Sequence, residues 1–238
     1  MTKCEFHNIS KVDQFGHELL LKIENNCQKY NHHIVKTLAK YSGKSDKILE
    51  FGAGIATLAK IWSELNDTKP DCLEINPDYA EIIVNKGFKL YKNIHEVENL
   101  YELIYSSNVL EHIEDDVAIL KILHQKIKTN GSLVLYLPAF EILYSNLDKQ
   151  LGHFRRYSRQ EIKQKLSSAG FAVNEIYYSD CLGFLSWLLV KYFKNHKSPS
   201  ESSLKFYDNF VVPLSLFFDK IGFKFLFGKN IIVYCKKI

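Results

Sequence analysis

From Lys47 onward, short β-rich apolar runs alternate with stretches whose apolar residues recur at helical spacing. That alternation predicts a mostly parallel sheet with helices on its faces. Residues 47–51, 71–75, 89–92, 102–106 and 132–137 are expected as five successive strands, with helices over 55–66 and 115–127 among them. Asn76-Pro77 supplies a capping side chain and a residue of fixed φ at a helix start. Ser158-Arg-Gln-Glu161 is a capping box for a helix reaching Ala169, and Gly170 closes it. Asn130-Gly131 is expected as the turn into the fifth strand, and Pro138 as its stop. Residues 172–178 and 230–236 make a sixth and a seventh strand, separated by apolar helical stretches over 182–193 and 204–222 and the polar loop 194–203. Ahead of Lys47 one or two helices are expected, with Ile34 and Leu38 on one face. The chain thus divides into N-terminal helices (1–46), an α/β core (47–180), a helical cap insertion (181–228) and a last core strand (229–238).

An apolar share of 46% supports a full core. The net charge of +4 is diffuse, which argues against nucleic acid as a partner. Five scattered cysteines (Cys4, Cys27, Cys72, Cys181, Cys235) show no ligand spacing, so no metal site is expected and the thiols read as reduced. The first residues lack an apolar signal core, and the longest apolar stretch, 181–190, is too short for a spanning helix. A cytoplasmic protein is the expectation.

Glu50-Phe-Gly-Ala-Gly54-Ile-Ala56 falls at a strand-to-helix junction, where glycines let the backbone approach a ligand and a helix N-terminus supplies N–H groups. Glu74 ends the next strand, where a carboxylate can bind both hydroxyls of a ribose. Together with Asn108-Val-Leu-Glu-His-Ile-Glu-Asp-Asp116 and Gly152-His-Phe-Arg-Arg-Tyr157, these motifs resemble the class I S-adenosylmethionine-dependent methyltransferases, and within them a branch of small bacterial enzymes. The resemblance extends over residues 30–237. It implies a Rossmann-like fold of seven strands with the last reversed, S-adenosylmethionine as cofactor and S-adenosylhomocysteine as product. By that resemblance Glu50, Gly52 and Gly54 hold the methionine part, Glu74 binds the ribose and Asn108 lines the pocket, with Ala53, Ile75 and Val109 also among the cofactor contacts. Tyr30, from a Tyr-Asn pair, packs nearby, and the N-terminal helices cover the site. Asn93 and Ile94 stand where the adenine contact is expected, without the acidic residue usual there. Ala56 replaces a usual glycine at a position expected to govern mainly helix packing.

Methyl transfer leaves the protein to position the acceptor and, for an oxygen or a protonated nitrogen, to remove a proton. His153 and His112 are the candidate catalytic residues, because both fall near the ends of the fourth and fifth strands. The chain holds 28 lysines and only three arginines, Arg155, Arg156 and Arg159, all within five residues. A planar, permanently charged fork is therefore reserved for one place, either to clamp an anionic acceptor or to pair internally with Asp148 or Glu161. Tyr144, Asp148, Arg155, Arg156, Tyr157 and Trp187 form the candidate acceptor-binding set. The acceptor class stays open between a small molecule and a lipid- or glycan-linked one, with a peripheral membrane contact through 182–190 as a further possibility. Two rival readings are a nicotinamide-dependent oxidoreductase and a non-catalytic partner subunit. Oligomeric state is not legible in this sequence.

Overall fold

The computed structural model describes residues 12–193 and 199–238; Cys4, the leading residues and the first half of the 194–203 loop lie outside them. Seven strands form one sheet: β1 (Ile48–Phe51), β2 (Asp71–Leu73), β3 (Leu90–Tyr91), β4 (Tyr101–Ser107), β5 (Ile127–Pro138), β6 (Phe171–Ser179) and β7 (Asn230–Lys237). Their order is β3-β2-β1-β4-β5-β7-β6, with β7 antiparallel to both neighbours and the other pairings parallel. The expected Rossmann-like sheet with a reversed last strand is what forms.

Side chains alternate across the sheet, and both faces are covered. Leu103, Tyr105, Val134, Tyr136 and Ile232 meet α2 (Gln28–Ala39) and α3 (Thr57–Leu65) through Ile34, Leu38, Ile61 and Trp62. Trp62 stacks on Tyr105 with ring centroids 4.7 Å apart. Ile104, Leu133, Leu135, Leu137 and Val233 bury against α5 (Asp116–Lys126) and α7 (Arg159–Ser168) through Leu120, Leu123, Ile162 and Leu166. The capping signals act as expected. Asn76 accepts the Asp78 amide at the start of α4 (Pro77–Asn85), and Ser158 accepts the Glu161 amide at the start of α7.

Three elements differ from the sequence expectation. β5 begins at Ile127 rather than 132, because Asn130, in a left-handed conformation (φ 63°), bulges the strand without ending it. A short α6 (Asn146–Gln150) interrupts the loop after β5. The single helix expected over 204–222 divides into α9 (Glu201–Phe206), a π-helical turn (Tyr207–Val211) and α10 (Val212–Lys220). Pro213 explains the break, since it has no N–H to give to the preceding turn.

That wide turn aims Asp208 at the start of α2. Cys27, the N-cap of α2, offers no capping bond, and the buried Asp208 carboxylate accepts from the Lys29 and Tyr30 amides at 3.1 and 2.8 Å. The insertion thus caps a helix 178 residues away in sequence. α1 (Val12–Asn26) precedes α2, and α8 (Cys181–Phe193) packs beside α10. Asp208→Ala should lower stability by about 1–2 kcal/mol, as the loss of a helix cap does, and Asp208→Asn should recover part of it. Chemical denaturation checks both.

Candidate functional site

The order of the sheet reverses direction beside β1, with β2 on one side and β4 on the other. In open α/β sheets a crevice opens at such a point beyond the carboxyl ends of the strands. Backbone strain is concentrated at that edge. Gly52 (φ 76°), Gly54 (φ 53°) and Ala56 (φ 58°) follow β1, Asn108 (φ 53°) follows β4, Phe140 (φ 61°) follows β5 and Asp180 (φ 66°) follows β6. Ala56 corrects the sequence expectation: the position demands a left-handed backbone, so the glycine usual there serves conformation and not packing alone. At Gly52 a side chain is also excluded by space, because a Cβ would fall 2.3 Å from Val109 Cγ2. α1 crosses the same loop, with Leu20 Cδ1 3.3 Å from where a Gly54 Cβ would stand.

Glu74 fastens the loop after β1 to the loop after β2. Its carboxylate accepts the Gly54 amide at 2.7 Å and the Asn76 amide at 2.9 Å. Ile75 beside it is exposed. Asn93 is exposed and accepts the His95 amide, while Ile94 is buried in the main core. Glu50 is buried on β1 and accepts from Tyr105 Oη at 3.1 Å. Burial pushes its carboxyl up to about 8, against the Tyr105 bond, which acts the other way. Tyr30 reaches the crevice from α2, giving a hydrogen bond to Asn230 Oδ1 at 3.1 Å, and Asn230 Nδ2 donates in turn to Asn108 Oδ1 at 3.4 Å.

The loop after β4 and the segment between β5 and α7 meet on the other side. His153 Nδ1 lies 3.0 Å from Asp148 Oδ1, and its Nε2 faces Glu111 Oε1 at 3.9 Å. His112 crosses His153 edge to face with centroids 4.5 Å apart. Burial alone would raise the Asp148 carboxyl, but His153, Arg156 and Ser145 hold it down at about 2. Two of the three arginines are paired with carboxylates inside the protein, while Arg159 donates to the Lys224 carbonyl and lies over the Tyr178 ring. Arg156 binds Asp148 through Nε (3.0 Å) and a terminal nitrogen (2.8 Å), and its guanidinium lies 5.2 Å from the Trp187 ring. Arg155 binds Asp116 at 2.6 Å and the Glu114 carbonyl at 2.8 Å, whereas Glu161 pairs with Lys165. Tyr157 is fully buried and donates to Asp116, Tyr144 Oη donates to the His153 carbonyl, and Trp187 Nε1 to the Leu143 carbonyl.

Sequence reasoning overlooked two groups. Glu111 is fully buried, and among the described residues both its carboxylate oxygens lack a hydrogen-bond partner; its place between Leu110 and His112, in a turn that must pack inward, was the available signal. Asp180, Tyr207 and Lys229 form a second, partly buried cluster, in which Tyr207 Oη donates to Asp180 and Lys229 pairs with it at 3.2 Å. Nothing local reveals that cluster, because its members come from three separate segments. A polar cleft lined by Asp46, Lys69, Asp71 and Lys89 opens at the amino ends of the strands, away from all of these groups.

The crevice fits S-adenosylmethionine: a glycine turn that excludes side chains, a carboxylate at the end of β2, and a buried Glu50 that a cationic amino group would neutralise. Fold and crevice together define a class I methyltransferase architecture. The family described as a methyltransferase domain matches residues 23–176, and the chain belongs to it. It is an S-adenosylmethionine-dependent methyltransferase. A SAM-dependent methyltransferase from Archaeoglobus fulgidus is 18% identical, with a TM-score of 0.60 over 92% of this chain and 99% of that one. A possible histamine N-methyltransferase from Thermotoga maritima is 14% identical (TM-score 0.59, 95% and 96% covered). The N-methyltransferase NodS from Bradyrhizobium japonicum, solved with S-adenosyl-L-homocysteine, is 12% identical (TM-score 0.57, 96% and 99% covered). At these identities the likeness is one of fold. No curated protein matches the chain.

The contact between Gly52 and Val109 can be tested directly. Gly52→Ala should destabilise through both the clash and the left-handed backbone, and Val109→Ala in the same chain should restore only the steric share. A denaturation double-mutant cycle should give a coupling of about 0.5–3 kcal/mol; strict additivity would contradict the close approach.

Proposed function

We propose that this methyltransferase acts on an acceptor presented at a lipid–water interface. The observation that carries the reading is an apolar row along one side of the cap. Phe206, Phe210, Leu214, Phe217 and Ile221, spaced by four or three residues through α9 and α10, are each 51–65% exposed. Leu185 and Leu189 of α8, with Phe225 and Leu226, are also exposed, and the exposed Lys205 and Lys220 adjoin members of the row in sequence. Monomeric soluble proteins rarely leave contiguous apolar surface of this kind uncovered, and aromatic residues with flanking lysines suit the headgroup boundary. Among the described residues no helix is long and apolar enough to cross a membrane, so the contact proposed is peripheral.

In this reading Glu50, Gly52, Ala53 and Gly54 receive the methionine end of the cofactor and Glu74 the ribose. Ile75, Asn93 and Ile94 form the adenine side, and Tyr30, Asn108 and Val109 close the crevice beneath α1. Bound there, S-adenosylmethionine supplies an electrophilic methyl group. The chain's own task is to orient the acceptor and manage its proton. Tyr144, Arg155 and Trp187 border the acceptor side. Asp148, Arg156 and Tyr157 act behind them by bracing, and His112 and His153 serve the deprotonation. Support for that division comes from the burial of the bracing residues and from the Asp148 bond that orients the His153 ring.

Two experiments test this. S-adenosylhomocysteine binding should tighten as pH rises and level off near 8, because Glu50 must lose its proton to pair with the ligand's ammonium group. Glu50→Gln should abolish that dependence. Glu74→Ala should cost about tenfold to a hundredfold in affinity, the value of roughly 1.5–3 kcal/mol of charge-assisted hydrogen bonding. Titration calorimetry reads both. For the interface, the unmutated protein should sediment with vesicles containing anionic lipid, and Phe210→Gln with Phe217→Gln should stay in the supernatant without a change in melting temperature. A protein that ignores vesicles, or whose apolar row is covered by a second copy in solution, overturns the lipid-interface reading.

A further inference from the structure

We propose that Glu111, His112 and His153 hold a divalent transition-metal ion at the acceptor side of the crevice. One nitrogen or oxygen from each of the three lies within 4.8 Å of the other two. Two imidazoles and one carboxylate are a donor set that first-row ions of intermediate softness accept, with coordination positions left open.

Glu111 is the decisive residue. It is fully buried, and among the described residues neither carboxylate oxygen has a hydrogen-bond partner. A buried polar group without partners is costly. A neutral carboxyl would lose the charge but would still lack a partner for its O–H among the described residues. A cation answers both the charge and the shortage of partners. His153 cannot do so alone, because Nε2 stands 3.9 Å away, beyond hydrogen-bond reach.

The groups behind the histidines are those a metal site requires. A ligating imidazole is fixed by a bond from its other nitrogen to a carboxylate or backbone carbonyl. His153 makes that bond through Nδ1 to Asp148, which Arg156 and the capping box of α6 hold in place. The His112 ring is held by its edge-to-face packing on His153. His153 therefore directs Nε2 at Glu111, toward the space the ion would fill. Ligand atoms around one tetrahedral ion stand roughly 3.4 Å apart, so the His153–Glu111 edge has to close by only about 0.5 Å.

The use of the ion rests on the acceptor-side placement proposed above, whereas its binding does not. A hydroxyl in an open coordination position loses its proton to solvent more readily than a free one. His112 and His153 then serve deprotonation as ligands, and neither takes the proton itself.

Chelator-treated, full-length protein titrated with Co2+ should develop a ligand-field absorption band that saturates at one equivalent, and one equivalent of Zn2+ should displace it. His112→Ala and His153→Ala should each weaken Zn2+ binding by at least about a hundredfold, and Asp148→Asn by about tenfold to a hundredfold. Glu111→Gln should do the same, and if it does not fold the histidine variants decide. S-adenosylhomocysteine affinity, measured alongside, should be unchanged in the histidine variants. No saturable Co2+ band, or Zn2+ binding of equal strength in both histidine variants, overturns the proposal and leaves Glu111 to a buried water. Vesicle binding is read separately, so its failure strikes the lipid-interface reading and not the metal site.

Discussion

The structure depends on how four parallel strands turn at one edge. β1, β4, β5 and β6 all reach the same side of the sheet, and each is followed by a residue in the left-handed region: Gly52, Asn108, Phe140 and Asp180. Three of the four are not glycine, and such residues cost of order 1–3 kcal/mol each to hold there. The strain is tolerated because the neighbours are over-determined. Asn108 is held through Asn230 and the Tyr136 carbonyl, Phe140 stacks on Tyr178, and Asp180 is bound by Lys229, Tyr207 and the Gly183 amide. What results is a rim of backbone and side chains set before any ligand arrives, which is the condition for placing two substrates against each other.

Charge is handled differently on the two halves of that rim. On the β1–β2 side carboxylates face backbone amides, as Glu74 does with Gly54 and Asn76. On the β4–β5 side two of them face cations: Asp116 meets Arg155 and Lys165, and Asp148 meets Arg156. Buried pairs of this kind add little net stability but are costly to break singly. Their value lies in fixing one geometry. Two of the three arginines of a lysine-rich chain, Arg155 and Arg156, fall where such geometry is needed.

The core was legible in the sequence because both faces of its sheet are covered. Runs such as Leu133–Leu137 are continuously apolar, and that pattern identifies a parallel strand as surely as a motif does. Asn76-Pro77 and Ser158–Glu161 were legible because capping is local. The π-helical turn at 207–211 was not, since Pro213 explains a break while only the distant amides of α2 explain its direction. Internal pairing of the arginines was legible as one alternative, and Asp148 was among the partners named. Asp116 was not, because it lies at the start of α5, 39 positions from Arg155. Glu111 was hidden for the opposite reason: it sits inside a motif whose histidine drew attention first.

The place of β7 governs the order in which the sheet can be completed. Among the described residues β6 pairs with β7 alone, and β7 enters between β6 and β5. The fifty residues 180–229 separate the end of β6 from the start of β7. During vectorial synthesis, β6 therefore leaves the ribosome with no edge to join, and the gap beside β5 must stay open until the whole cap has emerged. Closing a loop of that length before its contacts repay the entropy makes this the slow, non-local step of folding. Until then the exposed edges of β5 and β6 are the chain's exposure to misassembly. A nascent chain halted in the cap would hold a nearly finished β1–β4 half beside an unsealed one.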